Sequence, residues 1–254
     1  DDLPLLADWR SLSHVARWWG GLDVEPDAEK LIEPGLRMWI AEHDFRPFAY
    51  VQDYHVADWP SHPFDFLPAG ARGIDMYIGD PAMIGIGHGS ALLRQFADML
   101  LDEGAPRHCV LADAGYGVDN AFRQALSDMG LLYAVGITSA VVVWPPGVQP
   151  RPPKPYSGMG RPPVVPQRTP SLQPMSVKTL AMSLPPEAFQ TITWREGTNT
   201  SLRERFAVVR VRHAGGNVGK ARLRPEQWLL IEWPGSDAEP SKHFLSTLPK
   251  DTPI

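Results

Sequence analysis

From Gly73 to Gly104 the chain reads GIDMYIGDPAMIGIGHGSALLRQFADMLLDEG. An apolar run with a single acid comes first. Gly85, Gly87 and Gly89 then alternate, and Leu92, Leu93, Phe96, Met99 and Leu100 recur at helical spacing until Gly104 supplies a stop. Strand, glycine turn, amphipathic helix is the order this predicts. It constrains the fold more than any other stretch, because such a helix must pack on the sheet its own strand joins. The turn also suits a chemistry. Glycines let backbone N–H groups face a ligand, and the helix N-terminus adds partial positive charge, a combination that binds phosphate or pyrophosphate. Tight turns also use glycine for steric reasons only, so the pattern has two readings.

Upstream, LPLLADW and LSHVARWWGG read as two short helices, the second stopped by Gly20-Gly21. A helical reading puts Val15, Trp18 and Trp19 on one side. The Trp pair suits core packing, or the wall of a substrate site. LRMWIAEHDFRPFAYVQDYHV predicts two strands joined by a turn around His43–Pro47, and ARGIDMYIG a third. His14, His43, His55 and His62 show no metal-ligand spacing, so no metal site is expected there.

Downstream, RHCVLADAGYG predicts a buried strand ending at Asp113 and a glycine turn, and VDNAFRQALSDMG a helix closed by Gly130. LLYAVGI and SAVVVW are strand-like. From Pro145 to Pro186 the chain holds 13 of its 27 prolines, which predicts an extended loop outside the core, either a linker or a track along DNA. RFAVVRVRHA, EQWLLIEWP and KHFLSTLP then return to strand character.

Charge divides along the same line. Residues 1–107 hold 8 Lys/Arg and 18 Asp/Glu, and residues 108–254 hold 16 and 11, balances of −10 and +5. An acidic surface suits a small cationic amine substrate, and a mildly basic one admits nucleic acid. There is no apolar run of about 18 residues or more, so no membrane span is expected. The first residues lack the basic and apolar regions of a secretory signal. The single Cys109 has no partner for an internal disulfide. Together these predict a cytoplasmic protein. The sequence indicates no oligomeric state.

GIDMYIGDPAMIGIGHGSALL resembles the acetyl-CoA motif of the GNAT-fold N-acetyltransferases, the aminoglycoside 6'-N-acetyltransferase branch in particular. DLPLLADW…HVARWWGG and RPFAYVQDY fit the same branch, so the resemblance covers most of residues 1–107. It implies that Gly85, Gly87, His88, Gly89 and Ser90 hold the coenzyme pyrophosphate. Met76, Tyr77 and Ile78 would line the pantetheine arm, and Asp75 would orient or deprotonate the substrate amine. Read without the family, Asp75 is equally a strand-end acid that caps a turn, and His88 is expected to face solvent. Ile84 stands where the family often has Arg or Gln. The resemblance also implies a further strand upstream of DDLPLL.

VLADAGYG, FRQAL, YAVGI, WREGT, RFAVVRVR, WLLIEWP and FLSTLP resemble, in that order, a DDE-type insertion-sequence transposase with an RNase H-like core. Such enzymes hold two Mg²⁺ ions with three carboxylates. Asp113 matches the second of these. Sequence resembling an acetyltransferase occupies the place of the first, and the third has no counterpart. Glu232 is a poor substitute, being expected to face solvent from a strand. Neither Mg²⁺ nor strand cleavage is therefore expected, and Asp113 is a remnant acid. Arg203, Arg205, Arg210 and Arg212 suit phosphate contacts, or more simply a solvated strand face.

The expected architecture is α/β: a GNAT-like mixed sheet with helices over residues 1–107, joined near EGAPR to a partial transposase over 108–254. The latter comprises strand–helix–strand to 144, a Pro-rich loop over 145–186 and a β-rich segment from 187. Residues 108–144 also match the strand–helix–strand order with which an acetyltransferase continues, with Leu126 where the family often has a Tyr general acid. HCVLAD is accordingly expected to pair beside GIDMYI and complete that sheet. The expected function is acetyl-CoA-dependent N-acetyl transfer to an aminoglycoside or similar amine. The alternatives are a DNA-binding transposase remnant and an inactive fragment.

Overall fold

The computed structural model describes residues 2–19, 32–59, 62, 64, 67–160, 163, 166–169, 172–196, 200–215 and 224–253. They fall into two compact units that divide between Pro106 and Arg107.

The first unit opens with helices α1 (Leu3–Ser11) and α2 (Ser13–Trp19), separated by extended Leu12. Pro4 stands in the first turn of α1, where its missing N–H has no helical partner to lose. Strands β1 (Leu36–His43), β2 (Arg46–His55) and β3 (Arg72–Ile78) form an antiparallel sheet in the order β1-β2-β3. The β1–β2 hairpin closes on Asp44 and Phe45, both at positive φ (49° and 61°), as a two-residue turn matched to strand twist requires. Helix α3 (His88–Asp102) follows the glycine turn.

Alternation along β2 sends side chains to opposite faces. Tyr50 joins Leu6 and Trp9 of α1 in one buried cluster. Val51 joins Phe96 and Leu100 of α3 in another, with Ile74, Met76, Leu92 and Met99 around it. The sheet is thus covered on both faces. The shared face expected of Val15, Trp18 and Trp19 does not form. Val15 is buried, Trp19 packs edge-on against Tyr50 and Tyr77, and Trp18 is 82% exposed. Adjacent helical positions diverge by about 100°, so two consecutive Trp residues cannot both face one sheet. Gly20-Gly21 lies outside the described residues.

The second unit runs β4 (Cys109–Ala112), α4 (Ala114–Gly117), α5 (Asn120–Asp128), β5 (Leu132–Ile137), β6 (Val142–Trp144), β7 (Met175–Ser176), α6 (Val177–Ser183), β8 (Gln190–Glu196), β9 (Thr200–His213), β10 (Gln227–Trp233) and β11 (Lys242–Ser246). Its sheet has the order β4-β5-β11-β10-β9-β6-β7, with β8 also on β9. Only β4 and β5 pair in parallel, through the α4–α5 crossover, so the sheet is mixed.

Three expectations change here. HCVLAD does not pair beside GIDMYI. Strand β4 pairs with β5, while β3 has β2 as its strand partner among the described residues. The reason is local: β5 finds β11 on its other edge, with Val135 opposite Leu245 and both fully buried. The apolar downstream strands thereby build a sheet of their own. The span 145–186 is not loop throughout. Ser176 caps α6 by accepting the Thr179 N–H at 3.0 Å, and Val177, Leu180 and Ala181 enter the core at i, i+3, i+4 spacing. Glu232 does not face solvent: it is 7% exposed, with Lys242 Nζ across the β10–β11 pair at 3.4 Å.

Candidate functional site

Asp75 sits mid-strand on β3, in register with Gln52 of β2. Gln52 Nε2 donates to Asp75 Oδ2 at 3.0 Å, and the Tyr50 hydroxyl donates to Gln52 Oε1 at 2.8 Å. Tyr54, two residues on, also hydrogen-bonds Asp75. Burial first, then the Asp75 charge and that hydrogen bond, push its pKa up to about 12. Asp75 therefore does not cap a turn; it ends a set of hydrogen bonds on the face shared with α1 and α2.

The flanking residues divide by alternation. Met76 packs into the α3 cluster and Tyr77 into the aromatic one, where it stacks on Tyr50 at 5.2 Å. Their side chains are committed to packing, so a ligand lying along β3 would meet its free backbone edge. The Ile78 carbonyl accepts from His14 Nε2 at 3.0 Å.

Beyond β3, Asp80 Oδ1 accepts the Ala82 N–H at 2.9 Å and shapes the entry to the turn. Gly85 and Gly87 have φ of 78° and 98°, and a Cβ on either would meet nothing within 4 Å. Gly87 is the N-cap of α3 and gives no side-chain cap, so the first N–H groups of the helix, at His88, Gly89 and Ser90, face open space. Ile84 and Ile86 are exposed beside them. An uncapped helix end behind left-handed glycines can hold an anion.

His88 is half-buried rather than solvent-facing. Its ring lies 4.5 Å from that of His43 and 5.7 Å from that of Phe48. The three line a cleft of about 390 Å³ between β1 and α3, with Trp39, Gln95 and Phe96.

One cluster escaped the sequence reading. Asp53, fully buried, accepts from Arg37 Nε and Nη2, from Trp39 Nε1 at 3.0 Å, and pairs with Arg72. Arg37 also forks onto Glu103 at 3.0 and 2.7 Å. Hydrogen bonding from Arg37 draws the Glu103 carboxyl below its usual range, and burial followed by the Arg37 charge lowers Arg72. Two cations and two anions balance. An acid inside the apolar run FAYVQDYH was the available clue.

In the second unit Asp113 caps α4, its Oδ1 accepting from Gly115 N at 2.8 Å and Tyr116 N at 3.3 Å. Among the described residues no three His, Cys, Asp or Glu side chains cluster as a metal site. Arg205, Arg210 and Arg212 are held by the protein. Arg205 lies over Phe189 and Trp233, Arg210 over Trp228, and Arg212 donates to the Arg224 carbonyl at 2.7 Å. Arg203 is exposed. Arg123, 2% exposed, donates to the Gly117 carbonyl, to Asn120 and to His213 Nε2. No helix among the described residues is long and apolar enough to cross a membrane.

Residues 1–128 match the acetyltransferase (GNAT) domain model, and residues 79–201 the DDE superfamily endonuclease model. The matches overlap over 79–128, so both cross the division between the units. Aminoglycoside N(6')-acetyltransferase type 1 of Klebsiella pneumoniae is 28% identical over 115 residues, covering 40% of this chain and 56% of that protein. The enzyme of the same name from Serratia marcescens matches equally. The chain thus spans about half the length of the curated relatives it matches. Among solved structures, aminoglycoside acetyltransferase AAC(6')-Ib in complex with coenzyme A aligns over 54% of this chain and 69% of its own, at 20% identity and a TM-score of 0.39. An uncharacterized protein from Bacillus halodurans aligns over 54% and 61%, at 15% identity and 0.39.

Proposed function

Because the chain belongs to the acetyltransferase (GNAT) domain family, we propose that its first unit transfers an acetyl group from acetyl-CoA to the amine of a small cationic acceptor, of the aminoglycoside class named for its relatives. The observation that carries the reading is the open, uncapped turn at Gly85–Ser90. Its left-handed glycines leave room where side chains would intrude, as a pyrophosphate cradle requires. The N–H groups at the start of α3 would bind the phosphates, and the free edge of β3 at Met76–Ile78 would meet the arm. Acetyl-CoA supplies a thioester reactive enough for a free amine to attack directly. The chain therefore has to align the amine and remove its proton. Asp75, held by Gln52, is placed to accept that proton. The acidic balance of residues 1–107 favours a cationic acceptor.

Calorimetry with acetyl-CoA tests the reading. Folded wild-type protein is expected to bind, and Gly87→Ala, which puts a Cβ on a residue at φ 98°, to bind at least about ten-fold more weakly. Folded wild-type protein that gives no binding heat rejects it.

The match of residues 79–201 to DDE endonucleases supports a second reading, for the second unit: electrostatic retention of duplex DNA without strand cleavage. Asp113 is committed to capping α4, and no partner carboxylates stand beside it among the described residues, which does not fit a two-Mg²⁺ site. The full chain is expected to stay on immobilised duplex DNA at about 50 mM salt and to elute by about 200 mM. Passage straight through at low salt rules this reading out.

A further inference from the structure

Two hydrogen-bond chains converge on Asp75, and each has a direction fixed by its far end. In the first, the Tyr50 hydroxyl donates to Gln52 Oε1. The amide therefore points its Nε2 at Asp75 Oδ2. In the second, the Phe64 N–H donates to His62 Nδ1 at 3.2 Å. An imidazole that accepts at Nδ1 carries its proton at Nε2 when neutral, and His62 Nε2 lies 3.2 Å from the Tyr54 hydroxyl. His62 thus donates to Tyr54, and the phenol's own proton is left for Asp75.

The Tyr54 ring has no other place to go. It packs against the rings of Trp59 at 5.5 Å and His62 at 5.7 Å. Across the strand pair it occupies the space a Cβ on Gly73 would fill. Tyr54 is locked protonated beside Asp75, being a phenol whose pKa lies near 12. Arg72, the nearest cation on β3, is directed instead to Asp53 and His55. The donors that face Asp75 are thus neutral.

We propose that Tyr54, oriented by His62, is a positioning residue for the acetyl transfer. It fixes the Asp75 carboxylate so that one lone pair is presented to the acceptor amine while Gln52 and Tyr54 occupy the others. The role rests on Asp75 being the proton acceptor, and it assigns a function to the His62 loop that the family motif does not reach.

The test compares Tyr54→Phe, His62→Ala and His62→Gln in the full chain. Tyr54→Phe keeps the ring against Gly73 and removes only the donor. It is expected to lower kcat about ten-fold while KM for the amine and affinity for acetyl-CoA stay within about two-fold. His62→Ala should fall similarly, and His62→Gln, whose amide can still donate to the phenol, should recover most of the loss. A Tyr54→Phe variant that melts earlier but keeps its kcat would overturn the proposal. Ultraviolet titration of the tyrosines gives a readout without turnover. Asp75→Asn should bring one phenol down from about 12; an unmoved titration refutes the Tyr54–Asp75 contact and the proposal with it. Wild-type protein that binds acetyl-CoA yet acetylates no amine would sink the acetyltransfer reading instead, with the titration still reporting on the contact.

Discussion

Asp53 and Asp75 stand on neighbouring antiparallel strands and face opposite sides of one sheet. Asp53 accepts from two arginines and an indole, leaving no lone pair for a substrate. Asp75 accepts from an amide and a phenol. One acid anchors the end of α3 through Arg37 and Glu103, and the other is placed for chemistry. His213 shows what burial does without an acid nearby. Burial first, then the Arg123 and Arg224 charges, lower its pKa to about 3. The unfolded chain binds a proton near pH 6.5, while the fold refuses it until about pH 3. The contribution of neutral His213 is therefore complete above about pH 6.5 and is lost as pH falls towards 3, by up to about 1.4 kcal/mol per pH unit. Denaturant unfolding at several pH values should show this slope in the wild type and a smaller one in His213→Gln. Equal slopes in both would contradict the assignment.

Elements meet here at glycines. Helix α4 lies so close to β5 that a Cβ on Gly117 would collide with the Gly136 carbonyl and the Val135 side chain. Arg123 of α5 ties down the same turn by donating to the Gly117 carbonyl. Gly117→Ala should accordingly cost about 1–3 kcal/mol in denaturant unfolding, since backbone rather than a flexible side chain has to yield. A change below about 0.5 kcal/mol would mean that the crossover has slack. The turn before α3 is the opposite case: its glycines touch nothing, and their conformation serves the open space above them. The two kinds of glycine look alike in sequence. GYG and GIGHG differ in role because one is pressed between a helix and a strand and the other stands at a free helix end.

At the scale of the molecule, two sheets form where the strand order alone permitted one. Residues 108–144 follow the strand–helix–strand order that would extend the first sheet, and the family matches overlap through that region. The choice was made by residues far downstream. Leu245 of β11 packs with Val135 opposite it, and β10 and β9 continue the sheet with Leu229, Ile231 and Ala207 buried. Each unit consequently carries its own core, and the −10 and +5 balances belong to chains that divide within a residue of the charge boundary.

Periodicity and punctuation in the sequence were enough to place β1–β3, the hairpin at Asp44-Phe45, the glycine turn, α3 and most strands of the second unit, because these depend on neighbours a few residues apart. The motif GIDMYIGDPAMIGIGHG likewise pointed to the family through local pattern. Helix α6 was hidden by surrounding prolines, and the burial of Glu232 by a strand whose partner lies beyond a turn. The Asp53 network, the partners of Asp75 and the company of β4 were settled only by tertiary structure. Each depends on which residues from distant segments come to lie opposite one another, and strand register is decided by packing across the whole sheet.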